Sequence, residues 1–263
     1  MLKVSKVRLQ QGYRTMKWPD GPAPEMPPHF TGRPVISGDC CNGCGDCAKV
    51  CPTGAIAVAD GKISLDTGLC IFCGKCEKAC SKDAIKFGND FRLASAKRED
   101  LVVQPGNDMT PNAYSEAIHK LFGRSLKLRQ VSAGGCNACE ADTNVLGTLA
   151  WDLGRFGIQF VASPRHADGI LVTGPVSKNM ELALKKTCEA VPAPKIVIAV
   201  GACAVSGGIY RGQEETHKGV AEIIPVDLFI PGCPPHPATI LDGLLRLLRK
   251  KLPACGRTAP DGL

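Results

Sequence analysis

Eight of the fifteen cysteines in this 263-residue chain stand in two copies of one phrase: Cys41, Cys44, Cys47 and Cys51, then Cys70, Cys73, Cys76 and Cys80. Each cysteine of the second copy follows its counterpart by 29 residues, and Ala55-Ile56 recurs as Ala84-Ile85 at the same offset. The segment is an internal duplication. Thiols spaced C-x-x-C-x-x-C-x-x-x-C suit [4Fe-4S] cubes, because a tight loop can wrap only three corners and the fourth ligand must come from elsewhere. The spacing predicts one cluster on Cys41, Cys44, Cys47 and Cys80, and a second on Cys70, Cys73, Cys76 and Cys51. The chemistry of such sites is electron transfer.

The run, closed by Pro52 in the first copy, is that of bacterial two-cluster ferredoxins. Zinc is the rival ligand, since C-x-x-C pairs also build zinc ribbons, but zinc sites normally draw four ligands from two separated pairs. Disulfides fit less well: no apolar signal segment opens the sequence, and clustered thiols in a chain kept inside the cell usually bind metal. Ser81 follows Cys80 where the first copy has proline, a change expected to alter cluster burial more than ligation.

The length suggests about two domains, and an apolar content of 44% is enough for a core. No stretch approaches the ~20 apolar residues of a membrane span. The formal charge of +7 counts cysteines as neutral; three clusters, each with two net negative charges, bring it to about +1. With three tyrosines and two tryptophans the chain offers little to stack on nucleic acid, and none is expected as a partner.

The elements that must position these thiols fall into four stretches. Residues 1–37 read as an extended, proline-rich arm, either a free tail or a strap that orders on a partner through Tyr13, Trp18 and Phe30. Residues 38–88 form the small α+β ferredoxin unit, with Ile56, Val58, Ile63, Ile85 and Phe87 as apolar cover. Residues 89–124 are a linker and a helix starting at Thr110-Pro111 and stopping at Gly123. Residues 125–263 alternate apolar strands (near 126–131, 158–162, 170–173, 195–200 and 226–230) with helices (near 141–153, 178–190 and 236–252). That alternation predicts a parallel sheet covered on both faces. The last helix carries a broad leucine face and a basic end at Arg246, Arg249, Lys250 and Lys251.

Four more cysteines stand in strand-to-helix loops of this α/β unit: Cys136 and Cys139, Cys203, and Cys233. In an open parallel sheet those loops gather at one edge, where ligands bind. Nearby glycines let the backbone approach closely, and helix N-termini suit an anionic group.

The phrases Cys136-Asn137-Ala138-Cys139-Glu140, Gly174-Pro175-Val176, Gly201-Ala202-Cys203 with Ser206-Gly207-Gly208, and Pro231-Gly232-Cys233-Pro234-Pro235 resemble the small-subunit family shared by [NiFe] hydrogenases and the quinone-reductase module of complex I. The resemblance covers roughly residues 120–252 and implies a flavodoxin-like domain with a third [4Fe-4S] cluster on Cys136, Cys139, Cys203 and Cys233. It also implies a [NiFe] large subunit as partner, membrane-arm subunits reached through the complex, and a separate electron donor or acceptor protein. Complex I members carry an adjacent cysteine pair at the first ligand position; the two-residue gap and following glutamate here resemble the hydrogenase branch. A ferredoxin joined to such a subunit resembles a fusion of two subunits of formate hydrogenlyase and related energy-converting hydrogenases. The missing twin-arginine leader points to a peripheral position on the cytoplasmic side of the inner membrane.

By resemblance, Glu140 takes part in proton movement near the subunit interface; by its position alone, it is an acid in a helix's first turn. His236 stands where the family is expected to carry arginine, and is expected to make the nearby potential pH-dependent around neutrality. His29, His119, His166 and His217 lack ligand spacing and are expected at the surface. Cys40, Cys188 and Cys255 are read as non-ligands. No phosphate-binding loop, dinucleotide fingerprint or base beside a nucleophile is present, so catalytic chemistry is assigned to another subunit. The resulting expectation is a three-cluster relay serving a hydrogenase. Two alternatives stand beside it: a nickel-free complex-I-like oxidoreductase subunit, and an iron-sulfur sensor or assembly protein.

Overall fold

The computed structural model describes residues 2–59, 61–106 and 111–248. Its first element is helix α1, Leu2–Gln11, seven of whose ten residues (Leu, Lys, Arg, Gln) are good helix formers, with no proline or glycine before Gly12. The extended reading of the arm therefore fails over these residues. Beyond α1 the chain crosses the α/β unit. Thr15 Oγ1 donates to Leu149 O (3.0 Å) and Met16 N to Ala150 O (2.9 Å). Arg155 donates to the carbonyls of Met16 and Trp18, both at 2.6 Å. Trp18 is 5% exposed and meets Phe91 edge-on at 5.7 Å, while Phe30 meets His236 edge-on at 5.5 Å. Two of the three aromatics expected to anchor on a partner are thus packed inside this chain, and Tyr13 alone stays exposed. An extended segment cannot build a core, but it can cover one. Trp18→Ala is expected to cost about 3–5 kcal/mol of stability, read as a lower denaturation midpoint by circular dichroism.

The ferredoxin unit comprises β1 (Pro34–Ile36), α2 (Asp46–Lys49), β2 (Ile56–Ala59), β3 (Lys62–Asp66), α3 (Lys75–Ala79) and β4 (Ile85–Phe87). Strand β1 pairs antiparallel with β4, and β2 with β3. The 29-residue repeat extends to backbone geometry: Gly43, Gly45 and Gly54 have φ of 72°, 77° and 63°, and their counterparts Phe72, Gly74 and Asp83 have 54°, 67° and 51°. Ile56, Ile63, Leu65 and Ile85 are buried together with Cys47, Cys70 and Cys76, with Val58 and Phe87 packed against them.

The stretch after Gly88, expected as a slack connection, is stitched into both units. Ser95 exchanges backbone hydrogen bonds with Phe229 (3.0 and 2.8 Å). Leu101 is fully buried in the α/β core, and the next two residues form β5 (Val102–Val103), which pairs with β3. Helix α4 spans Glu116–Phe122 and starts at Ser115, whose side chain accepts from Ile118 N, later than the expected Thr110-Pro111 start. Thr110 lies outside the described residues.

The α/β unit runs β6 (Leu126–Ser132), α5 (Ala138–Val145), β7 (Ile158–Phe160), β8 (Gly169–Thr173), α6 (Lys178–Ala190), β9 (Ile196–Val200), α7 (Ala202–Ser206), β10 (Leu228–Ile230) and α8 (Pro237–Leu247). All strand pairs are parallel, in the order β10-β9-β8-β6-β7. Numbered within the unit, this is the flavodoxin order 2-1-3-4-5, with its switch point between β6 and β8. Helix α5 is shorter than the expected 141–153 helix, since Gly147 and Gly154 do not favour its continuation and Leu153–Phe156 forms a separate 3-10 turn. Helix α8 is buried on every side. Its Asp242, completely buried, has its pKa pushed up to about 6 by desolvation, against the pull of Arg246, which donates to it at 2.7 Å. Arg246 also donates to the carbonyls of Pro111 and Ala94, tying the connecting stretch to α8. Arg249, Lys250, Lys251, Leu252 and Cys255 lie outside the described residues. Among the described residues no helix is long and apolar enough to cross a membrane.

Candidate metal centres

Three groups of thiols emerge from this scaffold. Cys47 is 7% exposed; burial raises its pKa, and the charges of Cys80 and Cys41 raise it further. Cys80, just after α3, thus lies within electrostatic reach of the first loop. In the second group, burial pushes Cys70 up to about 12 and Cys76 up to about 11, with Cys51 and Cys73 adding to both. Cys51, Cys70, Cys73 and Cys76 line one cavity closed by Ile56, Leu65 and Phe87. The duplication is repeated in the sulfur hydrogen bonds: Ala55 N donates to Cys51 Sγ at 3.2 Å and Ala84 N to Cys80 Sγ at 3.3 Å. Phe72 N donates to Cys70 Sγ at 3.2 Å, a contact made from a left-handed backbone. N–H groups aimed at cluster thiolates tune potential.

The third group gathers at the carboxyl edge of the sheet. Cys136 and Cys139 lie between β6 and the first turn of α5, Cys203 in the first turn of α7 after β9, and Cys233 after β10. Burial raises the pKa of Cys139, and Cys203, Glu140, Cys233 and Cys136 raise it further; burial takes Cys203 up to about 11, with Cys233 and Cys136 adding. Glycines shape this site by direct approach. A Cβ on Gly201, at φ +90°, would lie 2.5 Å from Cys139 Sγ, and one on Gly208, at φ +54°, 2.9 Å from Cys203 Sγ. Gly201→Ala is therefore expected to block loading of this group while leaving the ferredoxin signals intact, as read by iron content and electron paramagnetic resonance.

Among the described residues, no three of His, Cys, Asp or Glu come close enough to hold a single metal ion. Ligands of one tetrahedral zinc stand roughly 3.8 Å apart, given Zn–S bonds of about 2.3 Å. The C-x-x-C-x-x-C-x-x-x-C spacing of the ferredoxin runs suits the corners of a cube, whereas zinc normally draws two separated pairs. In the bare chain, thiols with raised pKa hold their protons at neutral pH, so loading releases protons and is favoured as pH rises.

Glu140 is 5% exposed at the β6/β8 switch point. Ser132 Oγ and Thr173 Oγ1, at the ends of those strands, donate to its Oε1 at 2.5 and 2.7 Å. It lies in the first turn of α5, as one reading of its position had it, but as a buried and fixed acceptor. His236 caps α8, its Nδ1 accepting from Ala238 N at 3.2 Å. Burial lowers its pKa from the usual histidine value, against the opposing pull of Asp142. His119 and His217 are half-buried and partnered, by Leu248 O and by Glu181, in contrast to the expected surface positions; His29 and His166 are exposed. Cys40 is exposed, and Cys188 packs against the α/β core. Sequence reasoning missed Ser132 and Thr173, whose signal was a hydroxyl at the end of each apolar strand.

Grouped thiols in a ferredoxin unit and at the ligand edge of a flavodoxin-like sheet define an iron-sulfur electron-transfer protein carrying [4Fe-4S] clusters in both units. Residues 136–247 match the family described as NADH ubiquinone oxidoreductase, 20 Kd subunit, and residues 33–83 match the 4Fe-4S dicluster domain. The chain is 44% identical over 131 residues to the probable membrane-bound hydrogenase subunit mbhJ of Pyrococcus furiosus, covering 50% of this chain and 78% of that one. It is 43% identical over 143 residues to formate hydrogenlyase subunit 7 of Escherichia coli, covering 53% and 56%. Against an NADH-quinone oxidoreductase subunit of Desulfovibrio desulfuricans it is 42% identical over 113 residues, covering 43% and 61%. The chain belongs to the 20 kDa subunit family of NADH ubiquinone oxidoreductase, with a dicluster ferredoxin domain in front.

Proposed function

We propose that this chain relays electrons through three [4Fe-4S] clusters to the nickel-iron site of a hydrogenase large subunit, in a complex held on the cytoplasmic face of the membrane by its other subunits. The observation that carries this reading is the Cys136-x-x-Cys139-Glu140 loop, set at an edge where Cys136 and Cys233 are exposed and a partner can approach. Hydrogenase and quinone-reductase relatives are about equally similar to this chain, so identity does not choose between them. The two-residue gap, which resembles the hydrogenase branch, supports the hydrogenase reading. Glu140, fixed by two hydroxyls beside the third thiol set, is proposed as the group that handles protons at that interface.

Within the relay, the set Cys70, Cys73, Cys76 and Cys51 is the inner ferredoxin site. Its neighbours Ile71 and Phe72 line a cavity shared with Cys233 and Pro234 of the α/β unit. The set completed by Cys80 then faces the external donor or acceptor. Electrons run in whichever direction the potentials dictate.

The test is nickel content of the intact complex, purified anaerobically through a tag on this chain. Nickel in amounts equal to this chain is the expected result. Iron-sulfur clusters and a partner subunit without nickel would replace this reading with the complex-I-like one.

A further inference from the structure

The two units touch at one place where their ligand loops are joined by a side chain. Ser206 Oγ lies 2.7 Å from Gly68 O and 3.0 Å from Ala202 O. Gly68 is two residues before Cys70, and Ala202 immediately precedes Cys203. We propose that the Ser206 hydroxyl is the electronic contact between the inner ferredoxin site and the α/β site, a role that rests on the ligand sets proposed above.

The surrounding structure is built to hold this contact. Ser206 is 5% exposed, and Gly68 and Ala202 are buried, which shields the contact from bulk solvent. A Cβ on Gly68 would lie 2.8 Å from Arg98 Cζ and 2.9 Å from Val205 Cγ1, so only glycine lets the Cys70 loop approach α7 this closely. Asp66 clamps the same loop: its Oδ1 accepts from Gly68 N at 2.9 Å, and its two oxygens accept from Arg98 at 2.8 and 2.7 Å. Thr67 Oγ1 donates to Leu101 O at 2.8 Å, fixing the loop to the buried connecting stretch.

Elsewhere Ile71 and Phe72 face Cys233 and Pro234 across a cavity. Electron coupling decays faster across open space than along bonds and short hydrogen bonds. The route from Cys70 through Gly68 O, Ser206 Oγ and Ala202 to Cys203 avoids the gap. With clusters bound, Cys70, Cys73, Cys76 and Cys51 would hold the iron on one side and Cys136, Cys139, Cys203 and Cys233 the iron on the other, and a single electron would pass between them. No bond forms or breaks, and no proton moves.

The test uses the full chain in its complex, comparing Ser206→Ala and Ser206→Thr with the parent. Paramagnetic resonance counts the reduced clusters, and their magnetic splitting reports the distance between them; a flash-reduction experiment gives the rate between them. Ser206→Ala should slow that rate several-fold at unchanged splitting and unchanged potentials, and Ser206→Thr, which keeps the hydroxyl, should restore it. An unchanged rate in Ser206→Ala overturns the proposal. So does a rate that falls only as the splitting weakens, because the hydroxyl would then be a clamp between units. Absence of the α/β signal from the parent itself would instead refute the ligand assignment.

Discussion

Cys203→Ala is expected to remove the α/β-unit cluster, lowering iron by about four atoms per chain and stopping electron transfer beyond the ferredoxin unit. Cys203 lies in the first turn of a five-residue helix whose preceding glycine leaves no room for a side chain against Cys139. No substitute stands ready: Cys188, the one cysteine of the unit among the described residues outside the proposed ligand set, packs against the core from α6. The ligands proposed for the ferredoxin sites all lie within residues 41–80, so those sites should assemble as before. Iron analysis with paramagnetic resonance checks both halves of the result. Full downstream electron transfer in the variant would mean that this thiol does not hold the relay's third member.

The second large effect separates crossed from local ligation. Cys80→Ala is expected to abolish the cluster held by Cys41, Cys44 and Cys47, although Cys80 follows the other run in sequence. Cys47 feels the charge of Cys80, whereas Cys70 and Cys76 feel Cys51. On the proposed order, the lost site is the outer one. Reduction by an external donor should therefore fail, while the inner and α/β sites still exchange electrons when reduced chemically. Loss of the inner site instead would show that each run binds its own cube.

Much of this was legible because metal ligation and strand periodicity are local signals. The thiol spacing pointed to a two-cluster ferredoxin domain, which the family match supports, and the apolar runs gave all five strands of the parallel sheet to within a few residues. Four features were not legible. The arm's proline content said that it could not form a core, but not that Trp18 and Phe30 would complete the core of residues far along the chain. The connecting stretch looked loose because its hydrogen bonds, such as those of Ser95 with Phe229 and of Arg246 with Ala94, are to residues more than a hundred positions away. The burial of Glu140 depends on β6 and β8 being neighbours, a fact of topology that single-residue propensities do not carry. Phe72 was also invisible: it occupies a left-handed position that its counterpart Gly43 adopts freely, at a cost of about 1–3 kcal/mol. Its ring packs edge-on against Phe87 at 6.2 Å and lines the cavity between the units.

The most direct test of the relay is the iron and acid-labile sulfide content of the anaerobically purified chain, with reductive titration followed by paramagnetic resonance. About twelve irons and twelve sulfides per chain, in three separately reducible [4Fe-4S] signals, is the predicted result. About eight of each, with only the ferredoxin signals, would contradict the central claim, since the α/β edge would then hold no cluster to pass electrons onward.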